Sequence, residues 1–236
     1  AEHPTHSGCA PAPTELHPGP VGILFADRRP QAIKTGWLGS GEVVQGVADF
    51  LSTHAPATPL VVDPVLVDGH GQMIVQPEVL EAYRQHLFPL AALVTPNRDE
   101  AALLLARPLN SPADLREAAQ ALQRGGARAV LVKGGHLADP VQVSDLFFDG
   151  EQNLELQAAR LPIENARGVG CTYAAAIAAR LAQGCSPGGR HSAAPTGMFN
   201  RRSQPGLAWG RVGRRCIMRW GAPAGRWLLG AFTTRA

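Results

Sequence analysis

"PLVVDPVLV", residues 59–67, is the stretch on which the fold turns. Four valines and two leucines leave no alternation with polar residues, so the run reads as a strand buried on both faces, as strands of parallel sheets are. Asp63 falls inside it, just before Pro64. As chemistry it is a candidate site acid; as structure it is a strand-end carboxylate, though its apolar flanks disfavour a solvated surface role.

Outward from that strand the pattern alternates. Upstream, "QAIKTGWLG" (31–39) reads as a short strand into a glycine turn. Ser40 then caps a helix through "GEVVQGVADFLSTH", in which Val43, Val47, Phe50 and Leu51 recur at helical spacing. Downstream, Pro77 suits the first turn of a helix running to about Leu87. "AALVTP" (91–96) is a further buried strand, and Asn97 opens a helix to Ala106. Ser111-Pro112 starts another, closed by Gly125 and Gly126. "RAVLVKGG" (128–135) is a strand entering a glycine turn, and strands near 143–148 and 154–161 flank the turn at Asp149-Gly150 as a hairpin. A helix follows the turn Gly168-Val169-Gly170-Cys171. Alternation of this kind predicts an α/β sandwich with a mostly parallel sheet. Ligands bind at the carboxyl ends of such strands, where Lys34, Asp63, Asn97 with Glu100, Lys133 and the Gly168 turn all fall.

Bulk properties narrow the class. The 236 residues are 45% hydrophobic, enough for a substantial core. No apolar run approaches the roughly 20 residues of a membrane span. The His- and Pro-rich start does not read as a secretory signal. Cys9, Cys171, Cys185 and Cys216 show no CxxC spacing, which predicts a reduced, cytoplasmic protein. Charge is uneven under the net +3. Residues 1–164 hold all 19 acids and 11 of the 22 bases, whereas the other 11 bases, all arginine, lie in residues 165–236. Three of the four tryptophans (Trp209, Trp220, Trp227) share that acid-free tail. A nucleic-acid role for the tail is set aside because no folded binding module accompanies the charge.

Local chemistry leaves two readings open at each candidate. A Gly-x-Gly turn at a helix start presents backbone N–H groups and the positive end of the helix dipole to an anion. A thiol there would have a lowered pKa and could act as a base. Equally, the glycines could simply permit a tight turn and Cys171 be a small packing residue. Asn97 and Glu100 form a capping box as structure, or order a Mg2+-bound water or polyphosphate as function. Lys133 suits a phosphate contact or a surface turn.

Together, "AIKTGWLGS", "VVDPVLV", "LVTPNRDEA", "AVLVKGGH" and "NARGVGCTYAAAIAARLAQG" resemble, in order and spacing, the hydroxymethylpyrimidine/phosphomethylpyrimidine kinases of thiamine biosynthesis. The resemblance spans residues 21–185. It implies a ribokinase-like three-layer sandwich, and ATP- and Mg2+-dependent phosphorylation of 4-amino-5-hydroxymethyl-2-methylpyrimidine and then of its monophosphate. Carried over by motif, Cys171 would be the base and Gly168 and Gly170 would frame an anion hole. Asn97, Lys133 and Gly135 would face ATP, and Asp63 and Glu100 would support the metal. Glu2, Trp37 and Val65 would line a small-molecule pyrimidine. A homodimer is implied too. A pyridoxal or pyridoxamine kinase shares the cysteine turn and is the alternative enzyme; a non-catalytic remnant is the other.

The departures set further expectations. Nothing matches the family's opening strand and "GSDSGGGAG"-type segment, so the sandwich is expected to be incomplete at both ends. Trp37 replaces a methionine, and "DGHG" (68–71) replaces "AKSG". Residues 1–20 read as irregular and 186–236 as a basic tail that is disordered or frameshifted, with the kinase core at 21–185 between them.

Overall fold

The computed structural model describes residues 20–135, 141–160 and 168–184, together with strands 209–212 and 215–218. Six strands form one sheet in sequence order: β1 Ile33–Thr35, β2 Leu60–Val62, β3 Leu93–Val94, β4 Val130–Val132, β5 Gln142–Phe148 and β6 Asn153–Ala159. The first four pair in parallel. The last two run antiparallel and close the sheet as the expected hairpin. Strands β7 (Trp209–Val212) and β8 (Arg215–Met218) pair antiparallel as a separate two-stranded sheet.

Helices supply the parallel crossovers. α1 is Pro20–Asp27, α2 Gly41–His54, α3 Pro77–Ala82, α4 Arg98–Leu105, α5 Pro112–Arg124 and α6 Val169–Ala182. Alternation along each strand divides the core into two layers. Leu60, Val62, Val94, Val130, Val132 and Leu146 pack with residues of α2 to α5. Their neighbours Val61, Leu93, Leu131 and Phe147 face the other way, against Tyr173, Ala174, Ile177 and Leu181 of α6. Helices therefore cover both faces of the sheet, giving the expected three layers. Each fully buried valine or leucine contributes about 1.5–3 kcal/mol through its burial. Among the described residues no helix is long and apolar enough to cross a membrane.

Several expectations are refined. Helix α2 starts as predicted, with the Ser40 hydroxyl accepting from the Val43 N–H at 3.3 Å. The run 59–67 yields a strand of three residues, because Pro64 cannot continue the ladder; the Asp63 N–H still donates to the Thr35 carbonyl at 3.2 Å. The helix from Pro77 is regular only to Ala82. It continues through a π-helical turn, Tyr83–Leu87, and a 3-10 turn, Phe88–Leu90, where Pro89 prevents further α-helical bonding. Helix α1 has no counterpart in the sequence reading. Its Ile23 and Leu24 are exposed, so it lacks the apolar stripe by which helices are read.

Candidate active site

The carboxyl ends of the parallel strands converge on Asp63. Only 1% exposed, its carboxylate lies just beyond β2 and is met by both lysines of the chain. Lys133, at the end of β4, places Nζ 2.8 Å from Oδ1. Lys34, on β1, places Nζ 3.2 Å from Oδ2. The Thr95 hydroxyl, beyond β3, donates to Oδ1 at 3.2 Å. Burial alone would push the Asp63 carboxyl up, but Lys133, by charge and hydrogen bond, and then Lys34 outweigh it and hold it below the usual range.

Lys133 is fixed by its own backbone. Its N–H donates to the Pro96 carbonyl at 2.8 Å, and its carbonyl accepts from the Arg98 N–H at 3.0 Å. Asn97 thus lies beside it across a parallel bridge. The Asn97 side chain caps α4, accepting from the Glu100 N–H at 2.8 Å, while the Glu100 carboxylate accepts from the Asn97 N–H at 2.7 Å. The capping-box reading of this pair is therefore realised. Glu100 also accepts from the Leu66 N–H at 3.4 Å, tying α4 to the segment after β2. It is 3% exposed. Burial pushes its carboxyl up to about 7, with Asp63 adding to the rise and Lys133 opposing it.

The Gly168 turn arrives from the other side. Gly168 occupies the left-handed region (φ 81°) and supplies no side-chain cap to α6. Its carbonyl accepts from the Thr172 N–H at 2.9 Å, and the N–H groups of the residues between have no acceptor within the helix. A Cβ on Gly170 would lie 3.0 Å from Lys133 Nζ, so the missing side chain lets the ammonium approach the start of the helix. Cys171 is exposed and interacts with Asp63.

The expected lowering of the Cys171 pKa is reversed. Crowding of the thiol by the surrounding protein and the adjacent Asp63 charge push it up, against the pull of Lys34 and Lys133. Burial, and then the carboxylate that the sheet brings to the end of the helix, outweigh the helix dipole.

The pair assigned to a metal, Asp63 and Glu100, is held by groups of the protein. Both Asp63 oxygens face ammonium groups, and both Glu100 oxygens accept backbone N–H groups. Among the described residues no three His, Cys, Asp or Glu side chains form a metal cluster. Each of these oxygens keeps a further lone pair, through which the two carboxylates would face the water shell of a divalent cation.

The other predicted residues lie around this centre. Val65 is half-buried beyond β2, and Trp37, half-exposed, packs its ring over Gly39. The Gly135 carbonyl accepts from Arg160 Nη1 at 2.9 Å. Glu2 lies outside the described residues. Sequence reasoning gave no role to Thr95 or to Tyr83, whose hydroxyl donates to the Gly36 carbonyl at 3.1 Å. It also passed over Asp145, fully buried, which accepts from the Gly134 N–H at 2.9 Å. Thr95 had a legible signal, its place directly after a strand; Tyr83 and Asp145 had none.

Residues 6–193 match the family model described as phosphomethylpyrimidine kinase. The chain is 40% identical over 171 residues to the hydroxymethylpyrimidine/phosphomethylpyrimidine kinase of Rhizobium meliloti, covering 72% of this chain and 63% of that protein. It is also 40% identical over 164 residues to the thiamine biosynthetic bifunctional enzyme of Arabidopsis thaliana, covering 69% and 31%. The fold is similar to that of the Staphylococcus aureus pyridoxal kinase in complex with AMP-PCP. The TM-score is 0.66 at 36% identity, over 72% of this chain and 61% of that one. The chain spans less than two thirds of the length of the curated relatives it matches.

Proposed function

The chain belongs to the phosphomethylpyrimidine kinase family, and from that premise we propose that its site transfers the terminal phosphoryl group of ATP to 4-amino-5-hydroxymethyl-2-methylpyrimidine. The observation that supports this best is the meeting of Lys34, Lys133, Cys171 and the uncapped start of α6 around Asp63. Phosphoryl transfer needs little covalent help and much positioning of positive charge.

In this reading the bond between the terminal phosphorus and the bridging oxygen of ATP breaks, and a new bond forms to the substrate hydroxymethyl oxygen. Cys171, as thiolate, takes the hydroxyl proton. The first N–H groups of α6 and the Lys133 ammonium receive the charge of the phosphoryl in flight. Asp63 keeps both ammonium groups in place. Glu100 and Asn97 shape the turn between β3 and α4 that brings Lys133 into register, and Trp37 offers a ring face to the pyrimidine. Magnesium would accompany the ATP phosphates, and no step here is routed through it. A cytoplasmic location, a homodimer, and the division into an irregular start (1–20), a core (21–185) and a tail (186–236) belong to the same proposal.

The likeness to a pyridoxal kinase favours one competing substrate. ATP consumption with the hydroxymethylpyrimidine against pyridoxal, with Cys171→Ala as control, tests the choice. Higher kcat/KM on the pyrimidine is expected; preference for pyridoxal would reassign the substrate. Undiminished turnover in the variant would remove Cys171 as the base.

A further inference from the structure

Lys34 and Lys133 are the chain's two lysines, and both face the same buried carboxylate. One carboxylate neutralises one ammonium, so a single positive charge is left in excess beside Cys171. The two lysines are held differently. Lys133 is 10% exposed in its side chain, is hydrogen-bonded to Oδ1, and has its backbone pinned between Pro96 and Arg98. Lys34 is 21% exposed, and Oδ2, the oxygen it faces, receives no well-directed hydrogen bond among the described residues. Lys34 is thus held by charge more than by direction, and an ammonium carries three donors. A Cβ on Gly36 would come within 3.3 Å of Lys34 Nζ, so the glycine leaves that side of the ammonium clear.

We propose that Lys34 receives the phosphate of an acceptor that is already phosphorylated, and so sets the capacity of this site for a second phosphoryl transfer. The inference rests on the kinase reading above. A phosphate monoester loses its second proton with a pKa of about 6, so near neutral pH its oxygens carry no proton for a base to remove. In the second transfer the terminal phosphorus–oxygen bond of ATP breaks as before. The new bond forms to a monoester oxygen, giving a diphosphate and a nucleoside diphosphate with no proton moved. The demand on the site changes from a base to a cation. The monoester brings about two negative charges toward Asp63. Without Lys34, the remaining Lys133–Asp63 pair carries no net charge to balance them.

The test compares the wild-type chain with Lys34→Met and Lys34→Arg on the hydroxymethylpyrimidine and on its monophosphate. Lys34→Met is expected to lower kcat/KM for the monophosphate about thirty-fold more than for the alcohol, chiefly through KM, the equivalent of one charge-assisted hydrogen bond. Lys34→Arg is expected to recover part of the difference. If Lys34→Met does not fold, Lys34→Gln carries the same prediction. Equal losses on both acceptors would overturn the inference and leave the kinase reading standing. Calorimetric binding of the monophosphate without nucleotide separates the converse case. Lys34-dependent binding by a chain that turns over neither acceptor would uphold Lys34 as the phosphate contact and overturn the kinase reading, with the second transfer built on it. Binding indifferent to Lys34, or no binding, would overturn the role itself.

Discussion

Replacing Glu100 by glutamine should change how stability depends on pH, with a sign set by burial. Glu100 is 3% exposed, and its carboxyl is raised from the ordinary 4.5 to about 7, with burial as the largest cause. Between those values the folded chain holds a proton that the unfolded chain has released. Stability is greatest below the unfolded pKa and falls as pH rises through the folded one. At 1.36 kcal/mol per unit of pKa, this group alone removes on the order of 3 kcal/mol between pH 4 and 8. Glutamine preserves the side-chain shape but does not titrate. It can accept only one of the two backbone N–H groups well, which adds a pH-independent cost of about 1–3 kcal/mol. Urea unfolding of both proteins across this range should therefore show the wild-type advantage shrinking toward alkaline pH. A wild-type-minus-variant difference independent of pH would refute the reasoning.

Three further outcomes follow from particular contacts. A methyl at Gly134 would run into the Ser144 carbonyl, so Gly134→Ala should lower stability by about 2 kcal/mol or more, read as a fall in the urea midpoint. Gly168 has open space around it but a φ of 81°. Gly168→Ala should therefore cost about 1–2 kcal/mol of backbone strain alone, and a larger loss would mean that the turn packs more tightly than described. Because the Cys171 thiol is raised above its ordinary value, phosphorylation of the alcohol should climb with pH through the neutral range, following the thiolate fraction. Phosphorylation of the monophosphate should level off above about pH 7, once its second proton is lost, and parallel profiles beyond that point would contradict Cys171 as the base.

Local patterns carried much of this architecture. The caps at Ser40, Asn97 and Ser111 lie within three residues of the N–H groups they satisfy, so they were readable as short motifs. The hairpin of β5 and β6 announced itself through Asp149-Gly150, and the strand-end rule placed Lys34, Asp63, Lys133 and the Gly168 turn in one region. Which charge meets which was not readable. Lys133 and Asp63 are 70 residues apart, and their pairing is fixed only once β2 and β4 lie in the same sheet. Burial of the thiol, with the Asp63 charge, inverted the expected shift of Cys171, and both long-range lysine contacts engaged the Asp63 oxygens. Helix α1 escaped because its main described anchor is a single aromatic contact, Phe25 against Phe50 with centroids 5.2 Å apart, too little to leave a periodic pattern.

The central claim is that these groups form a phosphoryl-transfer site for a hydroxymethylpyrimidine. Phosphorus NMR of the purified 236-residue chain with ATP, magnesium and that pyrimidine tests it most directly. The account predicts a phosphate monoester signal growing as ATP is consumed, followed by a pyrimidine diphosphate. ATP signals that persist unchanged, or ADP with free phosphate and no pyrimidine ester, would contradict it.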